Sequence, residues 1–596
     1  MSTPVVPKPT PAEMSAFLSS LRKIVVDEAT TQRQQVLQIW KKPLPVRVSE
    51  GQAIEGVRIL DIREGDGLLE LACPSNNSLF REGDILCLNQ GNPQAYPFFM
   101  VNLEEDDEQR LLVSFGPGTN IGELKRQRTG WALDVGYLDL SSYILEALAE
   151  AGDSLAGRER ILPLLMGKAS SQMNPILYER GLDMGQAFGL NWSQSEALGQ
   201  SYATDLVHLI QGPPGTGKTR ILAHLAQALV SDGERVLVTA FTHRAINNAL
   251  NKLFEVDPTV PVAKIGPGRR ADDLNVRNYE YFTASPLVDE SGGYVIGATT
   301  FALRTNRAKG VEFDTAIFDE SSQITVSHAI MGMLQAKKYI FVGDENQLPP
   351  VIVTRQAGGF GRQSVFSALA GRGQETLLTE TYRMNDELTA WPSAQFYDGL
   401  LVCAPGIAER RLQLPRPPAR YMDVLDPDDP KVFWSMNHRN TTTRSHREAQ
   451  AVVGLIESLI TCGFPPQEIG VVTPYRAQGR EIRSLLRHII PEDLIRRLIV
   501  VDTVERMQGQ ERDVVIVSLT TSSAAFATQL ADFFFQPERL NVAITRPRSK
   551  LVIVGSHHVL AARPSDPEQQ EAVDLLARLL TSCAMIPYQS DAVWPS

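Results

Sequence analysis

The sequence is poor in cysteine, in long apolar runs and in positive charge. Its five cysteines, Cys73, Cys87, Cys403, Cys462 and Cys583, show no C-x-x-C spacing, which argues against a zinc site, an iron–sulfur cluster or a disulfide framework and suits reduced core thiols. No stretch approaches the roughly 18 consecutive apolar residues that a bilayer-spanning helix needs. The opening MSTPVVPKPTP has neither a basic n-region nor an apolar h-region, so the expectation is no membrane association and a cytoplasmic location. Lys+Arg total 58 against 69 Asp+Glu, a net charge of −11, which counts against a protein that coats nucleic acid through a broadly basic surface. Any nucleic-acid path must be a local groove.

What is present is a chain of 596 residues, 43% hydrophobic and 21% charged, long enough for several globular domains. Residues 1–12 are Pro-rich and read as a disordered N-terminus, whereas Phe17, Leu21, Ile24 and Val25 recur at helical spacing and predict a stalk helix over 13–44 that ends near Trp40. Over 45–120 the short alternating runs GVRILDI, LLELAC, DILCL, FFMVNL and RLLVSF, separated by Gly, Asp and Asn turns, predict a small β-barrel. The segment 121–184, with LDLSSYILEALAEAG, reads as a helical stalk or linker. From 185 onward strands alternate with amphipathic helices as in doubly wound α/β domains, here 185–378 and 379–560, followed by a C-terminal helix and tail over 561–596. The Pro-rich LPRPPARYMDVLDPDDP inside the second α/β domain reads as an excursion or linker.

The chemistry concentrates where the apolar strand DLVHLI enters QGPPGTGKT and then the helical run ILAHLAQALV. Gly212, Gly215 and Gly217 let the backbone turn tightly, so that N–H groups, with that of Thr216 among them, point at phosphate oxygens and the helix N-terminus adds to the attraction. Lys218 is expected to reach the β- and γ-phosphates and Thr219 to ligate Mg²⁺, which predicts ATP or GTP binding. Downstream, FDTAIFDESSQI ends an apolar strand on Asp319, a candidate Mg²⁺ ligand, and Glu320, a candidate base for the attacking water. FVGDENQLPP follows another apolar strand and offers Asp344 and Gln347 as groups between the nucleotide and the second domain.

GPPGTGKT, DESSQ, GDENQLPP, TYRMND, VVTPYRAQ, ERMQGQERD and LNVAITRPRSK occur in that order, and over about 190–560 the chain resembles superfamily 1 helicases of the branch that runs 5′ to 3′. It is similar to the nonsense-decay (up-frameshift) RNA helicase and to the helicase half of the Okazaki-fragment nuclease-helicase, without room for the nuclease or its iron–sulfur cysteines. The resemblance implies two RecA-like P-loop domains in tandem behind a small barrel on helical stalks, and ATP with Mg²⁺ as the working ligands. It also implies that Gln194 reads adenine, that Tyr382 packs on the base, that Glu511 contacts the ribose, and that Arg383 and Arg546 reach the γ-phosphate from the second domain. TYRMND departs from the usual QYRM followed by His-Pro, Met507 replaces a common aromatic, and Pro547 follows Arg546, so the backbone after that arginine is expected to differ.

For the track, the resemblance implies that Thr242, His243, Thr300, Thr473, Arg476, Thr503 and Gln508 hold the phosphates and sugars of one strand, contacts that carry little sequence information. Pro349 and Tyr475 are candidates to abut bases, although an aromatic beside a proline is equally good core packing. The expected function is an ATP-driven translocase and helicase on single-stranded nucleic acid, DNA preferred to RNA, working as a monomer. The alternative is an ATP-switched nucleic-acid clamp that uses the same residues without unwinding.

Overall fold

The structure, a computed structural model, describes residues 7–76, 78–80, 83–107, 109–116, 118–271, 273–354, 363–372, 374–490 and 493–588. A long helix, Pro11–Trp40, opens it. Thr10 accepts a hydrogen bond from the Glu13 N–H while the Glu13 carboxylate accepts from the Thr10 N–H at 2.7 Å, a capping box that starts the helix inside the segment read as disordered. Residues 1–6 of that segment lie outside the described residues. Such a cap contributes about 1 kcal/mol, enough to fix where the helix begins.

Six antiparallel strands, β1 (Ala53–Arg63), β2 (Leu68–Ala72), β3 (Ile85–Asn89), β4 (Phe98–Asp107), β5 (Arg110–Phe115) and β6 (Trp131–Val135), close a barrel in the order β1-β2-β5-β4-β3-β6. The closing strand β6 lies past the boundary at 120, in the stretch expected to be helical. It alternates as the other strands do, with Trp131, Leu133 and Val135 on the barrel core, while Asp134 on the opposite face is the fully buried partner of Arg47: Nε donates to one carboxylate oxygen at 2.6 Å and Nη2 to the other at 3.1 Å. Removing one member of such a buried pair costs about 3–5 kcal/mol, so this pair anchors the short helix Leu44–Ser49, which follows the stalk, to the barrel.

The first α/β unit is an eight-stranded parallel sheet of β7 (Val207–Gln211), β8 (Arg235–Ala240), β9 (Val262–Ile265), β10 (Asn278–Tyr279), β11 (Tyr294–Gly297), β12 (Phe313–Asp319), β13 (Ala336–Gly343) and β14 (Glu375–Leu377), in the order β10-β9-β11-β8-β12-β13-β7-β14. Its strands are buried on both faces and therefore read as near-continuous apolar runs. Within β8, Leu237 joins one core, while Val236 and Val238 join the other. A short parallel pair, β15 (Glu380–Thr381) and β16 (Val402–Cys403), leads into the second sheet.

That sheet comprises β17 (Lys431–Met436), β18 (Ile469–Thr473), β19 (Val500–Thr503), β20 (Arg512–Ser518), β21 (Pro547–Ser556) and β22 (Ala584–Pro587), all parallel, in the order β19-β18-β20-β21-β17-β22. The C-terminal stretch is thus more than a helix and tail. After the helix Pro567–Thr581, β22 adds to β17 as the edge strand, too short for its pattern to stand out in sequence; residues 589–596 of the tail lie outside the described residues. The Pro-rich excursion packs Val424 and Leu425 into the core of this unit. No helix of the described residues is long and apolar enough to cross a membrane.

Candidate functional site

The C-terminal ends of β7, β12 and β13 lie side by side at one edge of the first sheet, where open α/β sheets bind ligands. The loop after β7 is held to β13 through the Gly212 N–H and the Gly343 carbonyl, 2.9 Å apart. Gly215 and Gly217 have φ of +76° and +80°, which L side chains rarely adopt, and a Cβ on Gly212 would meet the Lys218 side chain at 2.2 Å. Lys218, the first residue of the helix Lys218–Ser231, folds its Nζ back onto the Gly212 carbonyl. Gln194 is buried at the N-terminus of the helix Trp192–Ala203. Its Nε2 donates to the Thr216 carbonyl at 2.9 Å and its Oε1 accepts from the Asn191 N–H at 3.1 Å, so its amide spans from the helix cap to the phosphate loop.

Groups from the short β15–β16 pair and from the second sheet's unit reach the same loop. The Tyr382 N–H donates to the Gly215 carbonyl at 2.8 Å, and the Thr381 hydroxyl to the Pro214 carbonyl at 2.8 Å. Arg383 places Nε 2.7 Å from Glu511 and Nη1 3.0 Å from the Thr545 carbonyl. Arg546 is only 2% exposed and donates to the carbonyls of Val542 and Gln510, at 2.9 and 3.2 Å; burial and the neighbouring Arg383 both lower its pKa. The backbone beyond it enters β21 through Pro547, with a register irregularity where β20 pairs with β21.

One cavity of about 830 Å³ gathers these groups. Every residue expected at the phosphates, base or ribose lines it except Gly212, which lies behind Lys218. Asp319 and Glu320 face it from the end of β12. Glu320 sits in the left-handed region at φ +49°, an uncommon conformation for a non-glycine residue and one that turns its carboxylate out of the strand direction. Burial and the adjacent Glu320 push the Asp319 pKa up to about 7.

Sequence reasoning missed two members of the site, Tyr397 and Asn541, both joined to the expected Asp344. Asp344, 1% exposed, accepts from Gln347 Nε2 at 2.7 Å and from the Tyr397 hydroxyl at 2.7 Å, and Tyr397 in turn accepts from Asn541 at 2.9 Å. This chain of polar groups links the first sheet to the helix Pro537–Ile544 that precedes Arg546. Asn541 stood in the LNVAITR frame and could have been found there; nothing in AQFYDGL marks Tyr397.

The expected track residues do not form one group. Thr242 and Gln508 line the 830 Å³ cavity. Thr242 caps the helix His243–Val256 by accepting from the Ala245 N–H at 3.2 Å, and Gln508 Nε2 donates to Glu320 at 3.2 Å. His243 and Thr300 line a second cavity, about 510 Å³, between the first sheet, the barrel and the helix Ser141–Asp153. Thr473, Arg476 and Thr503 line a third, about 160 Å³, where the barrel meets the second sheet. Tyr475 is half-buried against Phe533 and Phe534, with ring centroids 5.7 and 6.4 Å away, so its ring packs among aromatics. Pro349 is exposed in the loop after β13 and lines none of these cavities.

Two family models, each described as an AAA domain, match residues 194–353 and 362–558. The chain is 29% identical over 423 residues to the DNA replication ATP-dependent helicase/nuclease DNA2 of Saccharomyces cerevisiae, covering 65% of this chain and 27% of that protein. It is 28% identical over 439 residues to the DNA polymerase alpha-associated DNA helicase A of Schizosaccharomyces pombe, covering 62% of this chain and 64% of that protein. The chain therefore spans between about a quarter and two thirds of the length of these curated relatives. Among solved structures, the arterivirus nonstructural protein 10 helicase aligns over 88% of this chain and 79% of its own, at 15% identity and a TM-score of 0.39.

Proposed function

We propose that this chain, a member of the superfamily 1 helicases by its tandem AAA domains and its homology across them, is an ATP-driven motor that moves 5′ to 3′ along single-stranded nucleic acid and separates duplexes ahead of it. One observation carries the reading. A single cavity takes its phosphate loop from the first α/β unit and its arginines from the second, so domain closure and handling of the γ-phosphate are one event.

In this mechanism ATP exchanges contacts that the protein now makes with itself. Lys218 leaves the Gly212 carbonyl for the β- and γ-phosphates, and Glu511 gives up Arg383 for a ribose hydroxyl, which frees the guanidinium for the γ-phosphate. Arg546, fixed by backbone carbonyls, joins it from the same side. Gln194 and Tyr382 hold the adenine. Glu320 takes the proton of the attacking water, and Gln508 keeps that carboxylate oriented until the nucleotide arrives. Thr219 and Asp319 fit a magnesium ion, because both face the cavity and the buried Asp319 beside Glu320 is a carboxylate whose charge a cation would restore. The ion would neutralise charge on the phosphates. The Asp344–Tyr397–Asn541 chain carries the change between the domains.

Both named relatives are DNA helicases, which supports DNA as the preferred track, and we take a monomer as the working unit. The test is hydrolysis with matched DNA and RNA oligonucleotides, followed by a forked duplex with a 5′ tail. Strand-stimulated hydrolysis with strand separation is expected. Stimulation without separation would make the protein an ATP-switched clamp, and hydrolysis indifferent to any strand would overturn the proposal.

A further inference from the structure

We infer that the third cavity is a phosphate-backbone site of its own, and that the acidic end of barrel strand β4 occupies it until a single strand displaces it. The inference rests on the reading of the chain as a nucleic-acid motor.

The helix Arg476–Ile489 leaves the C-terminal end of β18 with Arg476, Arg480 and Arg483 at i, i+4 and i+7, one face of the helix, while Ile482 and Leu486 are buried on another. Arg506 arrives from the short helix Val504–Met507 after β19. These four arginines surround the 160 Å³ cavity, larger than several water molecules at about 30 Å³ each. Thr473 and Thr503 add hydroxyl-bearing side chains at the strand ends. Gathering so many guanidinium groups in one small space is unfavourable unless an anion shares it. Asp502, 3.4 Å from Arg506, is one source, and the other described carboxylate is Asp106 of the barrel.

Asp106 belongs to five consecutive acids in the sequence, residues 104–108. Glu104, two residues earlier and beside a register irregularity in the pairing of β4 with β5, has a side chain only 8% exposed and lies 2.9 Å from Arg270 of the first sheet's unit. One end of one barrel strand therefore sets carboxylates against arginines of both α/β units. A carboxylate and a phosphodiester satisfy a guanidinium through the same charge-assisted hydrogen bonds, so each can replace the other. A strand arriving at the second unit meets arginines that already have a counter-charge. It must expel Asp106, and the carboxylate it releases gathers cations as the strand loses them, so the salt dependence is shallower than the number of phosphate contacts would give.

The test uses the full chain with a labelled poly-dT oligonucleotide titrated at several salt concentrations. Asp106→Asn should tighten binding about threefold to tenfold at low salt and steepen the slope of log K against log salt by up to about 0.7 for each arginine released. Hydrolysis at subsaturating strand should rise, with the saturated rate unchanged. Glu104→Gln, which frees the strand end from Arg270 without touching the cavity, should act in the same direction. Arg480→Gln added to Asp106→Asn should cancel the gain. Unchanged or weaker binding in both single variants, with melting temperatures near wild type, would overturn the inference, as would a gain that survives Arg480→Gln. If the wild-type chain hydrolyses ATP but ignores every strand, the motor reading and this inference fall together. If it is stimulated by strand and the carboxylate variants are neutral, only this inference falls.

Discussion

The cavity between the two sheets and the cavities along the barrel are built from different materials. In the first, charged and amide groups from distant parts of the chain are held against one another, as in Arg383 with Glu511 and Gln508 with Glu320, and each has a partner that a nucleotide must replace. Along the barrel, by contrast, several of the candidate side chains are satisfied locally. Thr473 donates to the Tyr475 carbonyl two residues away, and Arg483 to the Val501 carbonyl of the neighbouring strand β19. The nucleotide cavity stores its readiness in long-range pairs, so single substitutions there should be drastic. The grip proposed for the barrel-side surface is distributed over several residues, so substitutions there should be mild and nearly additive.

The sharpest way to break this comparison is Glu320→Gln. The amide keeps the shape and the contact with Gln508 but loses basicity, so turnover should fall by about two to four orders of magnitude while nucleotide still binds. Near-normal hydrolysis would remove Glu320 from the role of base. Arg383→Ala should lower kcat by on the order of a thousandfold, with nucleotide affinity far less affected, because its charge acts mainly on the transition state. The two arginines should then separate. Arg383 pairs with a half-exposed Glu511, whereas Arg546 is buried and satisfies backbone carbonyls, so Arg546→Ala should also lower the melting temperature and Arg383→Ala should not. Equal melting temperatures for both variants would show that the burial of Arg546 contributes nothing to the fold.

An effect of intermediate size is expected at Tyr397→Phe. The change removes one hydroxyl that donates to Asp344 and accepts from Asn541, leaving a buried carboxylate short of a donor. A hydrogen bond to a charged group contributes about 1.5–3 kcal/mol, which corresponds to a tenfold to hundredfold loss in whatever the contact controls. If that is communication between domains, strand-stimulated hydrolysis should fall by this factor and strand-free hydrolysis by much less. An equal loss in both would reduce Tyr397 to a packing residue.

The same contrast explains what could be read from the sequence. The phosphate loop was legible because its chemistry is local: glycines, a lysine and a threonine within eight residues, between an apolar strand and a helix. Glu320 and the arginines needed motif frames, since their proximity comes from tertiary closure that no window of sequence contains. Tyr397 carried no frame and was not found. The barrel was visible as alternation until β6, a strand of five residues set apart from the others by the helix Ile121–Arg126, with the buried Arg47–Asp134 pair on its outer face. Thr242 had two meanings, helix cap and strand ligand, with the same letters, and sequence could not choose between them.

The mildest prediction tests that last ambiguity. A threonine whose hydroxyl accepts from the third N–H of its own helix contributes about 1 kcal/mol as a cap, so Thr242→Ala should cost about that much stability and change strand affinity by less than twofold. Thr300 caps no helix and lines the 510 Å³ cavity, so Thr300→Val, which keeps shape and loses the hydroxyl, should weaken binding a fewfold with the salt slope unchanged, since a neutral contact releases no counterion. Arg476→Ala should weaken binding for all strand sequences alike and lower the slope by somewhat under one unit. The three responses are distinguishable in one set of titrations at several salt concentrations combined with thermal melts. If Thr242→Ala weakens the strand as much as Arg476→Ala does, the cap is a ligand after all, and the boundary between the nucleotide cavity and the track lies on the other side of the helix His243–Val256.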